Sequence, residues 1–239
     1  KGKTIISNCA IEPEILDMII FLNKIGCNIK FIGKRKILIV GTSVFKNVSH
    51  EIIFDRIELG TYLIAAALIG KKIILNKIKP LIINTEIKVL KKMGVRMKIE
   101  KNKITVSESK KIKSINIKTQ AYPGFPTDLQ AQIMVLMSKA KGKSKIKESI
   151  FENRFMHVPE LKRMGAKISV KNNIATINGP TNLSGAEVMA TDLRASVSLV
   201  LAALIADKKT IINRVYHLDR GYENLEKKLR KCKANINRI

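Results

Sequence analysis

Tryptophan is absent from this 239-residue chain, and aromatic residues make up only 5% of it. Cysteine is scarce: Cys9, Cys27 and Cys232 lie far apart without a CxxC pair, which argues against a disulfide scaffold or a zinc site. The three histidines do not cluster at metal-ligand spacing. The longest apolar runs, 62–69 and 199–206, are much shorter than the roughly 18 residues of a membrane-spanning helix. These absences favour a cytoplasmic protein with no metal and no cofactor.

Acidic residues are also few, since 19 Asp and Glu stand against 45 Lys and Arg, for a formal net charge of +26. Such a balance is typical of nucleic-acid-binding proteins. However, 35 of the basic residues are Lys and only 10 are Arg, a bias that an AT-rich genome imposes on surface positions. Nucleic-acid surfaces favour Arg together with aromatic side chains. We therefore expect no nucleic-acid or membrane partner, and a basic nucleic-acid-binding repeat protein remains the alternative.

An amphipathic helix signature that ends at a pivot residue recurs four times along the chain. The pivots are Gly26, Gly94, Gly165 and Lys233, spaced 68, 71 and 68 residues apart. Glycine at this position supplies the left-handed backbone that closes a helix, and an alternating strand then follows. The Lys233 cap should therefore be strained or looser than the other three.

A second kind of helix alternates with the first and is apolar nearly all round, which predicts burial on every side. Its copies, and the strands that follow them, are at 60–68 then 72–78, 131–137 then 145–150, and 195–206 then 210–215. The repeating unit is strand, buried helix, strand, amphipathic helix and two short strands. This order predicts an α/β fold, an inside-out α/β barrel of pseudo-symmetric βαβαββ repeats with buried helices inside and sheets outside.

Two aspartates and two arginines bracket the third buried helix. Asp192 and Arg194 precede it, and Asp219 and Arg220 follow it. Buried ionic groups are costly unless they are paired or hold something charged. Arg154 lies 66 residues before Arg220, so the two occupy equivalent places in successive repeats. Because guanidinium groups bind carboxylates and phosphates bidentately, this arrangement predicts a small anionic substrate.

Several long strings in the chain resemble the C-terminal part of the UDP-N-acetylglucosamine enolpyruvyl transferases, a family also called UDP-N-acetylglucosamine 1-carboxyvinyltransferases. They are Glu12-Pro13-Glu14-Ile15, Asp55-Arg56-Ile57-Glu58, Phe125-Pro126-Thr127-Asp128-Leu129-Gln130-Ala131-Gln132, Ile150-Phe151-Glu152-Asn153-Arg154-Phe155-Met156-His157, Leu183-Ser184-Gly185-Ala186, the stretch 190–196, and Asp219-Arg220-Gly221-Tyr222. The related shikimate-pathway enolpyruvyl transferases share the fold, but their signatures around the equivalent arginines differ.

The resemblance implies two domains, each built from three βαβαββ repeats. It also implies a reaction in which the enolpyruvyl group of phosphoenolpyruvate passes to the 3′-hydroxyl of UDP-N-acetylglucosamine with release of phosphate. That is the entry step of peptidoglycan synthesis, and so of cell-wall biogenesis, cell shape and cell division. The implied partners are these two small molecules.

The resemblance assigns Asp128 to the sugar 3′-hydroxyl as a candidate general base, a role that requires reach to the proton. From the residues alone, Thr127 or Asp128 could instead cap the following helix. The resemblance also assigns Ile150 to the UDP-sugar, where the alternative is a strand residue in the core. Arg56 resembles a family residue near the nucleotide.

Arginines that match Arg154, Arg194 and Arg220 surround phosphoenolpyruvate in the family, and Arg220 is also expected to be catalytic. The alternative for each is an ordinary salt bridge. Asp192 could pair with an arginine or serve as a second proton-transfer carboxylate, or it could cap the helix at 195–206, and both interpretations stay open. The histidines His157 and His217 are expected to be packing or surface residues.

No stretch of the chain matches the family's reactive-cysteine loop or its Lys-Asn pair, and the three cysteines lie at scaffold positions of the repeat. We therefore expect residues 1–52 to be the last repeat of a truncated N-terminal domain and residues 53–239 to be the C-terminal domain. Such a fragment should have little or no transferase activity alone, because one wall of the cleft between the domains is missing. A non-catalytic remnant without a ligand is the other alternative.

Overall fold

Alternating buried and amphipathic helices organise the computed structural model of the chain, which describes residues 2–70 and 72–239. The chain divides into two compact units, Lys1–Asp55 with Ala121–Pro123, and Arg56–Gln120 with Gly124–Ile239. This division lies close to the predicted boundary between residues 52 and 53. The assignment of the two units to two domains of an enolpyruvyl transferase remains a prediction.

The first unit is a small sheet with one helix. Its elements are β1 (Lys3–Ser7), α1 (Pro13–Lys24), β2 (Asn28–Gly33) and β3 (Lys36–Val40). The strands pair antiparallel in the order β1-β3-β2. A small core of Ile19, Ile29 and Ile37 forms between them, and Cys9 and Cys27 pack against it, as expected for scaffold positions. Many large apolar side chains of this unit are exposed: Ile5, Ile6, Leu16, Met18, Ile20, Phe21, Phe31, Ile32, Val44, Phe45, Val48 and Ile52.

The second unit repeats the predicted order of elements. Its helices are α2 (Arg56–Ile69), α3 (Asn84–Lys92), α4 (Gln130–Lys139), α5 (Val158–Arg163), α6 (Leu193–Ala203), α7 (Tyr216–Asp219) and α8 (Leu225–Lys231). Its strands are β4 (Ile73–Asn76), β5 (Arg96–Glu100), β6 (Lys103–Ser107), β7 (Asn116–Lys118), β8 (Gly142–Lys147), β9 (Ile168–Lys171), β10 (Ile174–Gly179), β11 (Glu187–Met189) and β12 (Ile211–Asn213). Short 3-10 helices at Pro80–Ile83 and Thr127–Leu129 lead into α3 and α4.

Helices α2, α4 and α6 form the interior of this unit, because they are apolar on nearly every face. Helix α4 packs against both of the others. Close packing needs small residues: a Cβ on Gly60 of α2 would lie only 2.4 Å from Leu129 Cδ1. The sheets have the orders β4-β6-β5, β7-β8-β10-β9 and β11-β12. The predicted α/β fold with buried helices and outer sheets is confirmed, and the described strands form separate sheets instead of one closed sheet.

The strands after the buried helices end earlier than predicted, for a local reason in each case. Lys77 and Arg214 have φ values of 57° and 59°, so the chain leaves the extended conformation immediately after β4 and β12. Strand β8 ends at Lys147, where the sequence predicts continuation to residue 150. The cause is the side chain of Glu148, which binds the backbone amides of Ile150 and Phe151 and turns the chain out of the sheet.

The four amphipathic helices α1, α3, α5 and α8 end in the same way. Gly26, Gly94 and Gly165 have φ values of 115°, 86° and 94°, and Lys233 adopts φ 66° in the equivalent place. In each case the next amide bonds to a carbonyl five residues earlier, as from Ala234 N to Leu229 O, which is the Schellman pattern. Lys233 therefore takes the left-handed conformation without the glycine that favours it, as the sequence predicts.

We expect Lys233→Gly to stabilise the second unit. An L-residue with a side chain loses about 1–2 kcal/mol in the left-handed helical region. The added freedom of glycine in the unfolded chain offsets about 0.4–1 kcal/mol of that gain. The free energy of unfolding in urea should therefore rise by about 0.5–1 kcal/mol.

The matched control is Lys227→Gly, at an exposed position inside α8. Glycine there should cost about 1 kcal/mol, since the backbone is already helical. A loss of stability in both variants would show that Lys233 is not strained.

Candidate active site

Asp128 stands where the chain enters the buried helix α4. Phe125 and Leu129 are buried on either side of it and fix the 3-10 turn Thr127–Leu129 to the core. Neither the turn nor α4 has a side-chain cap. The Thr127 hydroxyl donates instead to Glu148 Oε2 at 2.8 Å, and the Asp128 carboxylate points to two arginines. The alternative in which Thr127 or Asp128 caps the helix is therefore wrong.

The Asp128 carboxylate bridges two of the predicted arginines, with one guanidinium on each oxygen. Oδ1 lies 2.8 Å from Arg154 Nη2, and Oδ2 lies 3.1 Å from Arg194 Nη2. The side chains are 35%, 29% and 21% exposed for Asp128, Arg154 and Arg194, so the cluster is reachable from solvent and partly desolvated. Two guanidinium groups that meet at one solvent-reachable carboxylate are also suited to bind an anion. Arg154 also lies over the Phe151 ring, 5.2 Å from its centroid.

Asp192 is the N-cap of α6. Its Oδ1 accepts hydrogen bonds from the backbone amides of Arg194 at 2.7 Å and Ala195 at 2.9 Å. The capping alternative is therefore confirmed, and it explains how Arg194 is held at the first turn of the helix. A second role for Asp192 in proton transfer remains a prediction.

Arg220 follows the short helix α7 and is exposed. The carboxylate of the neighbouring Asp219 binds Arg238 and not Arg220, because it accepts two hydrogen bonds from Arg238, of 2.6 and 2.9 Å. This bonding lowers the pKa of Asp219. Arg220 itself makes no ion pair within the described part of the chain. A Cβ on Gly221 would lie 2.8 Å from Leu193 Cδ2, so the turn that carries Arg220 packs against the start of α6.

A buried polar network anchors the same turn. The Tyr222 hydroxyl lies 2.9 Å from Thr61 Oγ1 of α2, and Gln132 Nε2 of α4 donates to Thr61 Oγ1 at 3.2 Å. Gln132 Nε2 also donates to the carbonyl of Asp128 at 2.9 Å. The network thus ties both Asp128 and the Arg220 turn to the buried helices. We did not identify this network in the sequence, although a single Thr in α2 and two Gln at the start of α4, within nearly apolar helices, are a signal for it.

Ile150 is not a core strand residue, because its side chain is 41% exposed and lies beyond the end of β8. Its amide donates to Oε1 of Glu148 at 2.8 Å. Nothing in the sequence singles out Glu148, which comes directly after a Lys-rich strand. A carboxylate that is only 2% exposed is nevertheless the most unusual charged group near the site.

The remaining predicted residues lie in different settings. Arg56 begins α2, and its charge partly offsets the rise that burial causes in the pKa of Glu86. His157 is buried, as the packing interpretation expects, and its Nε2 has no hydrogen-bond partner in the described residues. Burial lowers its pKa to about 4, with Asp192 opposing the shift and Arg154 adding to it. His217 is half-buried beside the ring of Tyr216.

Metal ligands and membrane segments were both sought over residues 2–70 and 72–239. Within those ranges no three His, Cys, Asp or Glu side chains come close enough together to hold a metal ion. No helix there is long and apolar enough to span a bilayer.

Curated sequences similar to this chain carry one name. The chain is 60% identical over 239 residues to the UDP-N-acetylglucosamine 1-carboxyvinyltransferase of Pelagibacter ubique (strain HTCC1062), covering 100% of this chain and 57% of that protein. It is 52% identical to the protein of that name from Rhodopseudomonas palustris (strain HaA2), and 51% identical to that of Histophilus somni (strain 129Pt). The chain spans about 57% of the length of these relatives. The resemblance seen in the sequence is therefore confirmed, for a partial-length chain.

Solved structures give the same picture of the fold. The enolpyruvyl transferase NikO from Streptomyces tendae superposes with a TM-score of 0.91 at 28% identity, covering 99% of this chain and 57% of that one. EPSP synthase from Acinetobacter baumannii superposes with a TM-score of 0.74 at 17% identity, covering 97% of this chain and 56% of that one, which supports the fold alone.

The family model that describes EPSP synthase (3-phosphoshikimate 1-carboxyvinyltransferase) matches residues 1–229, nearly the whole chain. The match includes the first compact unit, the second as far as residue 229, and Asp128, Arg154 and Arg194. The chain therefore belongs to the EPSP synthase (3-phosphoshikimate 1-carboxyvinyltransferase) family.

Proposed function

We propose that this chain is the C-terminal part of a UDP-N-acetylglucosamine 1-carboxyvinyltransferase and supplies one wall of its active site. The reaction transfers the enolpyruvyl group of phosphoenolpyruvate to the 3′-hydroxyl of UDP-N-acetylglucosamine and releases phosphate. The names of the similar curated proteins support this assignment. The enzyme would act in the cytoplasm on two small molecules and serve peptidoglycan synthesis, and through it cell shape and division.

The observation that carries the proposal is the bridge from Asp128 to Arg154 and Arg194. Phosphoenolpyruvate has a carboxylate and a phosphate, which suit two guanidinium forks. When the anion binds, the arginines would exchange their bonds to Asp128 for bonds to the substrate. The freed carboxylate would then be available to the sugar hydroxyl.

The chemistry requires one C–O bond to form and one to break. The 3′-oxygen bonds to the carbon that carries the phosphate oxygen, the hydroxyl proton must leave, and the bond from that carbon to the phosphate oxygen breaks. Asp128 is our candidate to accept the hydroxyl proton. Arg154, Arg194 and Arg220 would stabilise the charge on the phosphate as it leaves, and Asp192 would hold Arg194 through the first turn of α6.

Two further assignments belong to the proposal. The exposed Ile150 would contact the UDP-sugar, and Arg56 would lie near the nucleotide.

We also propose that residues 1–52 are the last repeat of an N-terminal domain and that residues 53–239 are the C-terminal domain. The many exposed apolar side chains of the first unit are what a repeat separated from the rest of its domain would present.

Binding of the substrates to the chain itself tests the proposal. In amide NMR spectra, millimolar UDP-N-acetylglucosamine should shift the resonances of Ile150 and Phe151, and phosphoenolpyruvate should shift those near Arg154 and Arg194. Arg194→Ala should remove most of the response to phosphoenolpyruvate, since a charge-assisted bond is worth about 1.5–3 kcal/mol.

The matched control is Arg230→Ala on the exposed side of α8, which should leave the response unchanged. Free N-acetylglucosamine and inorganic phosphate serve as control ligands. Shifts spread over the lysine-rich surfaces and abolished by moderate salt would contradict a specific site.

A further inference from the structure

The carboxylate of Glu148 is the most completely bonded charged group near the Asp128 cluster. It is 2% exposed and accepts four hydrogen bonds. Its Oε1 accepts from the Thr119 hydroxyl at 2.8 Å and from the amides of Ile150 at 2.8 Å and Phe151 at 3.2 Å. Its Oε2 accepts from the Thr127 hydroxyl at 2.8 Å. A carboxylate is buried at a large cost, which four donors of this kind can offset.

The four donors come from three separate segments of the chain. Thr119 directly follows β7, Thr127 begins the turn that carries Asp128, and Ile150 and Phe151 begin the loop after β8. That loop then carries Arg154, whose guanidinium lies over the Phe151 ring. Glu148 therefore holds Thr127, which precedes Asp128, and Phe151, whose ring lies under Arg154. Asp128 and Arg154 are the two partners of the 2.8 Å ion pair.

The backbone of Glu148 is fixed as well. Its amide donates to the carbonyl of Asn173 at 2.8 Å, and its carbonyl accepts from Asn173 Nδ2 at 2.9 Å. Asn173 lies in the turn between β9 and β10. The carboxylate thus projects from a rigid point of the sheet, which is the property that a positioning group needs.

We propose that Glu148 is a positioning residue for the substrate site: it sets the distance between Asp128 and the 150–154 loop without touching the substrate. This inference rests on the proposed function, because the positioned groups are the ones assigned there to the sugar and to phosphoenolpyruvate. In this role Glu148 contributes its hydrogen-bond geometry and not its charge, so a neutral side chain of the same shape should largely preserve the positioning.

Two substitutions of Glu148 test whether its hydrogen bonds, and not only its burial, position the site. Gln at position 148 can keep its Oε1 on the two backbone amides, while its Nε2 donates to the Thr127 hydroxyl oxygen, which turns to accept. Ala leaves all four donors without an acceptor. Glu148→Gln should therefore preserve the site and Glu148→Ala should disorder it.

The experiment uses the whole 239-residue chain. In the ligand-free protein, Glu148→Ala should raise the hydrogen-exchange rates of the Ile150 and Phe151 amides by about tenfold or more, because their shared acceptor is lost. Glu148→Gln should stay within about threefold of the original rates. The dissociation constant of UDP-N-acetylglucosamine, from the NMR titration, should follow the same order, rising about tenfold in Glu148→Ala and little in Glu148→Gln.

The matched control is Ser144→Ala, on the strand β8 that directly precedes Glu148. Ser144 is fully buried, and its Oγ accepts from the Ile115 amide at 3.2 Å, so its loss also removes a buried hydrogen bond. This variant should lower the melting temperature yet leave both the exchange of the 150–151 amides and sugar binding unchanged.

The outcomes separate the two proposals. If the original chain shows no response to UDP-N-acetylglucosamine, the proposed function of this wall fails, whereas the exchange rates still test Glu148. If Glu148→Ala leaves exchange and binding unchanged, or if Ser144→Ala impairs them equally, Glu148 is only a buried structural group and the inference is overturned.

Discussion

Asp128→Asn should reduce the turnover number about 10²–10⁴-fold in an enzyme that contains this chain, because a positioned general base contributes that much. The suitable enzyme is a fusion that joins the N-terminal part of the Pelagibacter ubique relative to residues 53–239. We expect this fusion to release phosphate from phosphoenolpyruvate when UDP-N-acetylglucosamine is present. The 239-residue chain alone should release little or none.

The Michaelis constants should distinguish a base from a binding group. Asp128 pairs with both Arg154 and Arg194 in the ligand-free site and would compete with the anion for them, so an uncharged Asn should leave the KM for phosphoenolpyruvate unchanged or lower it. Arg194→Ala should have the opposite pattern, with a raised KM, since it removes a fork that would bind the anion. Initial rates of phosphate release at varied concentrations of each substrate measure both constants.

Asp207→Asn, in the exposed segment after α6, is the matched control and should change the turnover number less than about twofold. Full turnover in Asp128→Asn would reject the general-base assignment while leaving the arginine site in place. Rapid phosphate release by the unfused chain would instead reject our view that it holds only one wall of the active site.

The repeat made most of the fold predictable, because its signals are local. Helical spacing of apolar residues located α1, α3, α5 and α8, and glycine located three of their four ends. The nearly apolar helices α2, α4 and α6 could be placed inside for the same reason. Strand ends were less predictable, since they depend on a left-handed Lys77 or Arg214 for which no residue type gives a signal.

The sequence predicts which residues form the candidate site, but not which hydrogen bonds and ion pairs they make. The sequence named Asp128, Arg154 and Arg194 through a resemblance, and the structure brings these three together. It could not tell which of Asp128 and Asp192 caps a helix, because both precede one. The difference lies in neighbours: the Asp128 carboxylate pairs with arginines distant in sequence, whereas Asp192 Oδ1 accepts from the first amides of α6.

His157 makes the second large prediction, a loss of stability in mild acid. Its pKa falls from the ordinary value of 6.5 to about 4, chiefly because the ring is buried. Between these two pH values the unfolded chain binds a proton at this residue and the folded chain does not. Stability from this group is therefore fully present above pH 6.5 and decreases as the pH falls toward 4, by about 3 kcal/mol in total.

The difference between variants isolates this effect from the carboxylates that titrate in the same range. At neutral pH, His157→Gln should have a lower free energy of unfolding than the original chain. Between pH 6.5 and 4, however, its free energy of unfolding should decrease less than that of the original chain. Val158→Ala, at the next buried position, should be less stable but retain the full dependence on pH. Urea unfolding at several pH values measures all three.

A neutral His157 matters to the site as well as to stability. Asp192 attracts a proton to the ring and Arg154 repels it, so a charged imidazole would add a third positive group to the surroundings of Asp128 and compete for the cap of α6. With the ring neutral, Arg194 stays fixed by Asp192 at neutral pH. If the original chain and His157→Gln show the same dependence on pH, His157 binds its proton equally well in the folded and unfolded chains, and burial does not lower its pKa.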